Sequence, residues 1–438
     1  MNSDARFLSI YILNRFSIKK ENLNKLRNNV FAKFNPSKIN RARTIVLTNE
    51  VIRKKERLDM MITTISDRKI EYFNSTLKSI LRVGFYEIIY DNSVPQFAIV
   101  DSSVKVTKKL ISKKASGLTN AVLRKLIRTY NQDSKWFSPL KKRRQWWSIP
   151  IWIQERWESR FGKKGFELMA ECMDNIPAIY IRVDQSRINC VSVVKLLKDL
   201  DIEAEVVVEP FLKVAKGLGK ILSTKLFQTG QVSIQDVAAG NIVHLLELKE
   251  GDTVLDICAA PGTKSLFMSE IIGEGGNVHA FDISESRIKQ GKNDIKRHGK
   301  KNIHWYKKDA TCDEFPMSDK ILIDAPCSGT GVLRKKPDIK WRRNSNDLAM
   351  LTKMQLSILN NVSKFLNLGG TLVYSTCSLE PEENWNIIIE FLKLKPNFQL
   401  MTKHSIIKDE WINNNGCFET FPHLHDVDGM FAAKLIRT

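Results

Sequence analysis

The sequence predicts a multidomain chain: an α-helical N-terminal domain, a small α+β middle domain and a C-terminal α/β domain with a mostly parallel sheet. Three observations carry that reading. The chain has 438 residues with 43% hydrophobic content, enough for several cores. Its charge is uneven: residues 1–150 hold 31 Lys and Arg against 11 Asp and Glu, and the rest hold 38 against 37. After Gly251 the pattern changes to strand, loop and helix, repeated.

The N-terminal third reads as helical. "ILNRFSIKKENLNKLRNNVFAKF" and "LTNEVIRKKERLDMMITTISDRKI" mix apolar and basic residues without strict alternation. In "STLKSILRVGFYEIIY" the apolar residues Leu77, Ile80, Leu81, Phe85 and Ile88 fall at three-to-four spacing, the period of one buried helix face. Asn92, Ser93 and Pro95 interrupt the pattern before "FAIVDSSVKVTKKLISKK" and "GLTNAVLRKLIRTY" resume it. Concentrated positive charge on such a unit points to a polyanion, and nucleic acid is the expected one. The segment "DSKWFSPLKKRRQWWSIPIW", with Pro139 and Pro150, reads as a hinge. The domains are expected at 1–135, 136–235 and 236–438.

The middle segment mixes periods. "IPAIYIRVD" is strand-like, "VVKLLKDL" a short helix, "EAEVVVEP" an alternating strand, and "FQTGQVSIQD" a turn and strand.

In the last part, "TVLDICAAPG" leads into "TKSLFMSEII", "NVHAFDIS" into "SRIKQGKNDIKRHG", and "GGTLVYSTCS" into "NWNIIIEFLKLK". Ligands of such sheets bind beyond the carboxyl ends of the strands. The first strand ends in Asp256 and runs into Cys258, Ala259, Ala260, Pro261 and Gly262, small residues before a helix start. No GxGxxG is present, so a dinucleotide fingerprint is excluded. Asp282 ends the second strand and Asp309 follows the third. Three carboxylates on one rim repel a polyphosphate and suit a phosphate-free nucleoside with a positive centre, as in S-adenosylmethionine. Asp324 ends a further strand with Cys327 just beyond it, and Cys377 ends the next.

The seven cysteines are widely spaced with no CxxC, which fits a reducing, cytoplasmic setting and argues against disulfides or a zinc site. No metal pair, secretory leader or long apolar run is evident, so no metal and no membrane partner are expected.

"LDICAAPGTKS", "AFDIS", "DAPCSGTGVLRKKPDIKWRR" and "GGTLVYSTCSLEPEEN" resemble, in order and spacing, the NOL1/NOP2/Sun superfamily of RNA cytosine-C5 methyltransferases, and within it the RsmB (Sun/Fmu) family acting on small-subunit ribosomal RNA. The segment from "LRVGFYEIIYDNSVPQF" to "NAVLRKL" resembles a NusB-like RNA-binding domain. The resemblance covers nearly the whole chain and is thin before residue 40 and over 155–220. It implies a Rossmann-like methyltransferase domain, S-adenosylmethionine as cofactor, 16S ribosomal RNA as partner and a monomer. It implies that Cys377 adds to carbon 6 of the cytosine, that Cys327 assists elimination, and that Asp324 holds the base. The reverse order of the thiols, as in DNA cytosine methylases, is the alternative. By the same resemblance Cys258, Ala259, Ala260, Pro261, Gly262, Thr263 and Lys264 surround the cofactor, with Asp282 on the ribose, Asp309 on the adenine side and Asp324 beside them. Thr263 stands where the family usually has a second glycine. Arg334, Lys335, Lys336, Lys340 and Arg342 are expected on RNA. The other readings are methylation of a transfer RNA cytosine, or a non-catalytic RNA-binding assembly or antitermination factor.

Overall fold

The computed structural model describes residues 4–19, 21–91, 93–214, 217–403 and 406–438; Asn92 lies outside them. The described residues form two compact units, one from Met1–Asn175 with Leu333–Asn344, the other from Ile176–Val332 with Ser345–Thr438. Compactness thus groups residues differently from boundaries at 135 and 235.

The first unit is helical: α1 (Ala5–Lys19), α2 (Leu23–Phe34), α3 (Lys38–Arg53), α4 (Lys55–Ser66), α5 (Ser75–Tyr90), α6 (Gln96–Leu110), α7 (Lys113–Gln132) and α8 (Ile151–Asp174). Local chemistry sets several starts. Asn22, Ser37, Asn74 and Ser112 each cap a helix by accepting a backbone N–H with the side chain. The apolar stripe of α5 is buried as its spacing predicts. The expected hinge is short 3-10 turns, Ser138–Lys142 and Arg144–Trp147, followed by α8, which breaks at Gly162 with φ +70°. The end of α8 belongs to this unit because Asp174 accepts from Lys54 Nζ at 2.6 Å and Arg57 Nη1 at 2.8 Å, while Arg53 Nη1 reaches Met173 O at 3.0 Å.

The segment 333–344 packs into the same unit through a later short helix, α15 (Ile339–Arg342). Arg53 Nη2 donates to Arg334 O at 2.8 Å, Lys340 Nζ to Arg53 O at 2.8 Å, and Trp341 Nε1 to Ile52 O at 2.9 Å.

The second unit holds two sheets. The smaller is antiparallel: β1 (Ile179–Val183), β2 (Ala204–Val208), β3 (Phe211–Val214) and β4 (Val232–Ile234), in the order β2-β3-β1-β4. Around it lie α9 (Cys190–Lys198), α10 (Leu218–Ser223) and α11 (Lys225–Gln228). Arg182 on β1 is fully buried and donates to Glu270 Oε2 at 2.9 Å and Oε1 at 2.6 Å, tying this sheet to the larger layer.

The larger sheet comprises β5 (Thr253–Ile257), β6 (Asn277–Asp282), β7 (Ile303–Lys307), β8 (Ser318–Asp324), β9 (Leu366–Thr376), β10 (Phe398–Met401), β11 (Phe418–Glu419) and β12 (Phe431–Arg437). Its order is β10-β12-β9-β8-β5-β6-β7, with β11 paired to β12. Strands β5 to β9 pair in parallel, and β12, β10 and β11 close one side antiparallel. The helices are α12 (Val237–His244), α13 (Thr263–Ile272), α14 (Glu285–His298), α16 (Ser345–Val362), α17 (Trp385–Leu394) and the short α18 (Pro422–His425). Near-continuous apolar strands such as β8 and β9 are buried because helices cover both faces. The chain runs outward one way through β6 and β7 and the other way through β8 and β9. The gap between the ends of β5 and β8 is therefore the switch point where a ligand crevice forms.

Candidate active site

Strand register brings the chemistry together. Asp324 pairs with Ser375, so the loops after β8 and β9 leave the sheet side by side. Cys327 Sγ and Cys377 Sγ lie 3.2 Å apart. Gly331 N–H donates to Cys377 O at 3.0 Å and Ala325 N–H to Ser375 O at 2.9 Å, which holds the loops in parallel. The contact with the Cys377 sulfur, then burial, then the Cys377 and Glu383 charges hold the Cys327 thiol well above its ordinary value.

Beside the thiols, Lys264 Nζ donates to Asp324 Oδ2 at 2.7 Å, and Ser375 Oγ to Asp324 Oδ1 at 3.1 Å. Burial alone lowers the Lys264 ammonium, but Asp324, Asp256 and Cys377 outweigh it and raise it. Lys264 lies on the first turn of α13, so the loop expected around a cofactor also supplies a cation facing the thiols. Sequence pattern indicated the location of Lys264; its ion pair with Asp324 was the part missed.

The loop from β5 to α13 turns through Cys258 at φ +62° and Gly262 at φ +98°. A Cβ at Gly262 would come within 2.7 Å of the Trp305 ring, so this turn needs glycine twice over. Burial, then Asp282 and Asp324, push the Cys258 thiol up, which leaves it neutral and inert. Asp282 is buried; its Oδ2 accepts from Ala260 N at 3.1 Å and its Oδ1 from Ser284 N at 2.8 Å. Asp309 sits in a turn, accepting Thr311 N at 2.9 Å and Thr311 Oγ1 at 2.6 Å, and those bonds lower its carboxyl. Asp256 is fully buried, and burial pushes its carboxyl up to about 7.

The basic segment departs from expectation. Arg334 and Lys340 are buried, and burial lowers the Lys340 ammonium well below its ordinary value. Arg342 Nε pairs with Asp338 Oδ2 at 2.9 Å. Lys336 is exposed and Lys335 partly so. A lysine ammonium that finds a backbone carbonyl inside a helical unit is a structural group, and its one-letter code does not distinguish it from a surface one.

The doubly wound, mostly parallel sheet thus gathers paired thiols, an aspartate and a lysine at the ends of its central strands. Residues 243–436 match the family model "16S rRNA methyltransferase RsmB/F", and residues 3–128 match the NusB family. The chain is 30% identical over 406 residues to the "Probable ribosomal RNA small subunit methyltransferase B" of Bacillus subtilis (strain 168), covering 90% of each chain. It is 31% identical over 404 residues to the "Ribosomal RNA small subunit methyltransferase B" of Photorhabdus laumondii, covering 88% of each. The crystal structure of PH0851 shares the fold over 99% of each chain, with a TM-score of 0.80 at 23% identity. The chain belongs to the ribosomal RNA small subunit methyltransferase B family.

That family membership implies S-adenosylmethionine, and the residues fit it. The glycine turn leaves the backbone of residues 258–262 open to close approach, and the first turn of α13 presents N–H groups that no helical carbonyl can take. The carboxylates after β6 and β8 offer acceptors suited to hydroxyls and to a sulfonium rather than to phosphate.

Proposed function

We propose that this chain methylates carbon 5 of a cytosine in small-subunit ribosomal RNA through a covalent bond between Cys377 and carbon 6. The observation that carries this reading is the 3.2 Å pair of sulfurs beside the Lys264–Asp324 ion pair. A binding module needs neither thiol.

Cytosine carbon 5 is a weak nucleophile. A thiolate adding at carbon 6 sends the carbon 5–carbon 6 electron pair into the ring and makes carbon 5 enamine-like. Cys377 supplies that sulfur. Lys264, held on Asp324, favours negative charge at Cys377 and on the ring. Asp324 holds the nitrogen edge of the base. Residues 258–264 and Asp282 would hold S-adenosylmethionine, which would supply an electrophilic methyl group to carbon 5 and leave as the neutral thioether.

Release then needs the carbon 5 proton to leave. Cys327, once its own proton has passed to solvent, takes it as the thiolate, the electron pair reforms the ring double bond, and the carbon 6–sulfur bond breaks to return Cys377 as a thiolate.

The basic helical unit, with its exposed Lys336, binds RNA phosphates, and the target base is unstacked to reach Cys377. The test is bisulfite mapping of 16S ribosomal RNA with and without the gene, together with trapping. Cys327→Ala should accumulate a protein–RNA conjugate and Cys377→Ala should form none. Normal turnover by Cys377→Ala defeats the reading.

A further inference from the structure

The two thiols are held by different means. Cys377 follows directly on β9, whose register is fixed on one side by β8 and on the other by β12. Cys327 lies in a loop between β8 and the 3-10 turn Thr330–Val332. Its place depends on hydrogen bonds from the residues on either side of it, and these converge on one buried carboxylate.

That carboxylate is Glu383, which is fully buried. Its Oε1 accepts the Ser328 N–H at 2.8 Å and the Gln355 Nε2–H at 3.0 Å. Its Oε2 accepts the hydroxyls of Ser328, at 2.5 Å, and Ser378. Gln355, on α16, also donates to Pro326 O at 3.0 Å. Both neighbours of Cys327, Pro326 and Ser328, are therefore anchored to the Gln355–Glu383 pair, and Ser378 brings the Cys377 loop to the same anchor. Four donors on one buried carboxylate leave it no room to act on a substrate.

We propose that Glu383 is the positioning residue for Cys327, holding that thiol over Cys377 so that it can complete the release step. This rests on the two-thiol reading above. Removing Glu383 leaves the Ser328 N–H without this acceptor, takes one of the two acceptors from Gln355 Nε2, leaves the two hydroxyls to bond each other, and lets the Cys327 loop relax. The strand still carries Cys377, so adduct formation suffers less than release.

The hydrogen-bond pattern also defines the conservative replacement. In Glu383→Gln the amide oxygen faces the Ser328 N–H and the Gln355 amide, which cannot reverse. The new NH₂ faces the two hydroxyls, which can. All four contacts survive.

The experiment uses the full chain with 16S ribosomal RNA and S-adenosylmethionine, and reads conjugate formation and release separately by denaturing gel. Glu383→Ala should slow release at least 10-fold more than it slows conjugate formation, so conjugate accumulates as in Cys327→Ala. Glu383→Gln should restore release to within threefold of wild type. Equal losses in both steps for Glu383→Ala, or trapping by Glu383→Gln, overturns the proposal. Should Glu383→Ala fail to fold, Gln355→Ala frees only Pro326 and the amide contact. It should trap conjugate to a smaller degree, and unchanged release overturns the proposal. If Cys327→Ala itself traps nothing, the two-thiol reading has failed; if Cys327→Ala traps and Glu383→Ala releases normally, only the role of Glu383 has.

Discussion

Replacing Asp256 by Asn tests the charge state of the site floor. Asp256 is fully buried at the end of β5; Ser265 Oγ donates to its Oδ2 at 2.5 Å, and its Oδ1 has no hydrogen-bond partner among the described residues. Burial, reinforced by the charges of Asp324 and Asp282, pushes its carboxyl up to about 7, against the pull of the Ser265 bond. An unfolded aspartic acid titrates near ~3.9. Between those values the folded chain keeps a proton that the unfolded chain has lost. Stability from this group therefore falls as pH rises, by about 1.4 kcal/mol per unit, and levels off above the folded value. Asn mimics the neutral acid at every pH, with its oxygen toward Ser265. From about pH 5.5 to about pH 7 the variant should gain roughly 2 kcal/mol relative to wild type, and little more above pH 8. Urea unfolding of both proteins across that range gives the difference. Parallel profiles would refute a neutral Asp256.

Three further outcomes follow from the geometry. Lys264→Met removes the cation held on Asp324 and should lower single-turnover methyl transfer about 100-fold; a change under threefold means the ion pair is only structural. Arg182→Ala leaves the Glu270 carboxylate buried without its bidentate partner and should cost about 3–5 kcal/mol, read from urea midpoints, with a loss under ~1 kcal/mol contradicting it. Lys340→Met replaces a buried ammonium that makes one bond to Arg53 O, so stability should stay within about 1 kcal/mol and RNA affinity within about twofold. A clear drop in the salt dependence of RNA binding by Lys340→Met would return that residue to the RNA surface.

Much of the second unit was legible because strand–helix alternation is a strong periodic signal. "NVHAFDIS" and "KILIDAPCSGTG" contain β6 and β8, and their acidic ends mark the rim. The helix α5 followed from five apolar positions. The helix α8 was hidden, since Gly162 and a run of aromatic and basic residues blur its period. The strand β3 is only four residues long, Phe211–Val214, and too short to carry a pattern. The site was half legible. Cysteines and aspartates at strand ends could be read from spacing, but the partner of a buried polar group is a tertiary fact. Nothing in "PEEN" says that Glu383 collects donors from residues 55 and 28 positions away, and nothing in "DIKW" says that Lys340 reaches a carbonyl 287 positions away.

The acidic rim illustrates the difference between locating charges and knowing their state. Sequence alone puts Asp256, Asp282, Asp309 and Asp324 at the ends of neighbouring strands, as though four like charges faced one crevice. Each instead meets a different environment. Asp256 is dry and holds its proton near neutrality. Asp282 is held by two backbone N–H groups and lies 3.5 Å from Arg287 Nη1. Asp309 is taken up by Thr311. Asp324 is matched by Lys264. The mutual repulsion that would otherwise oppose folding is thus removed at each position by a separate device: protonation, backbone donors, a hydroxyl and an ammonium. The Lys264–Asp324 pair is the tighter of these two ion pairs, at 2.7 Å against 3.5 Å for Arg287–Asp282. It is also bonded through Ser375 to the strand that leads into Cys377, so a base entering there meets the thiol and this ion pair together.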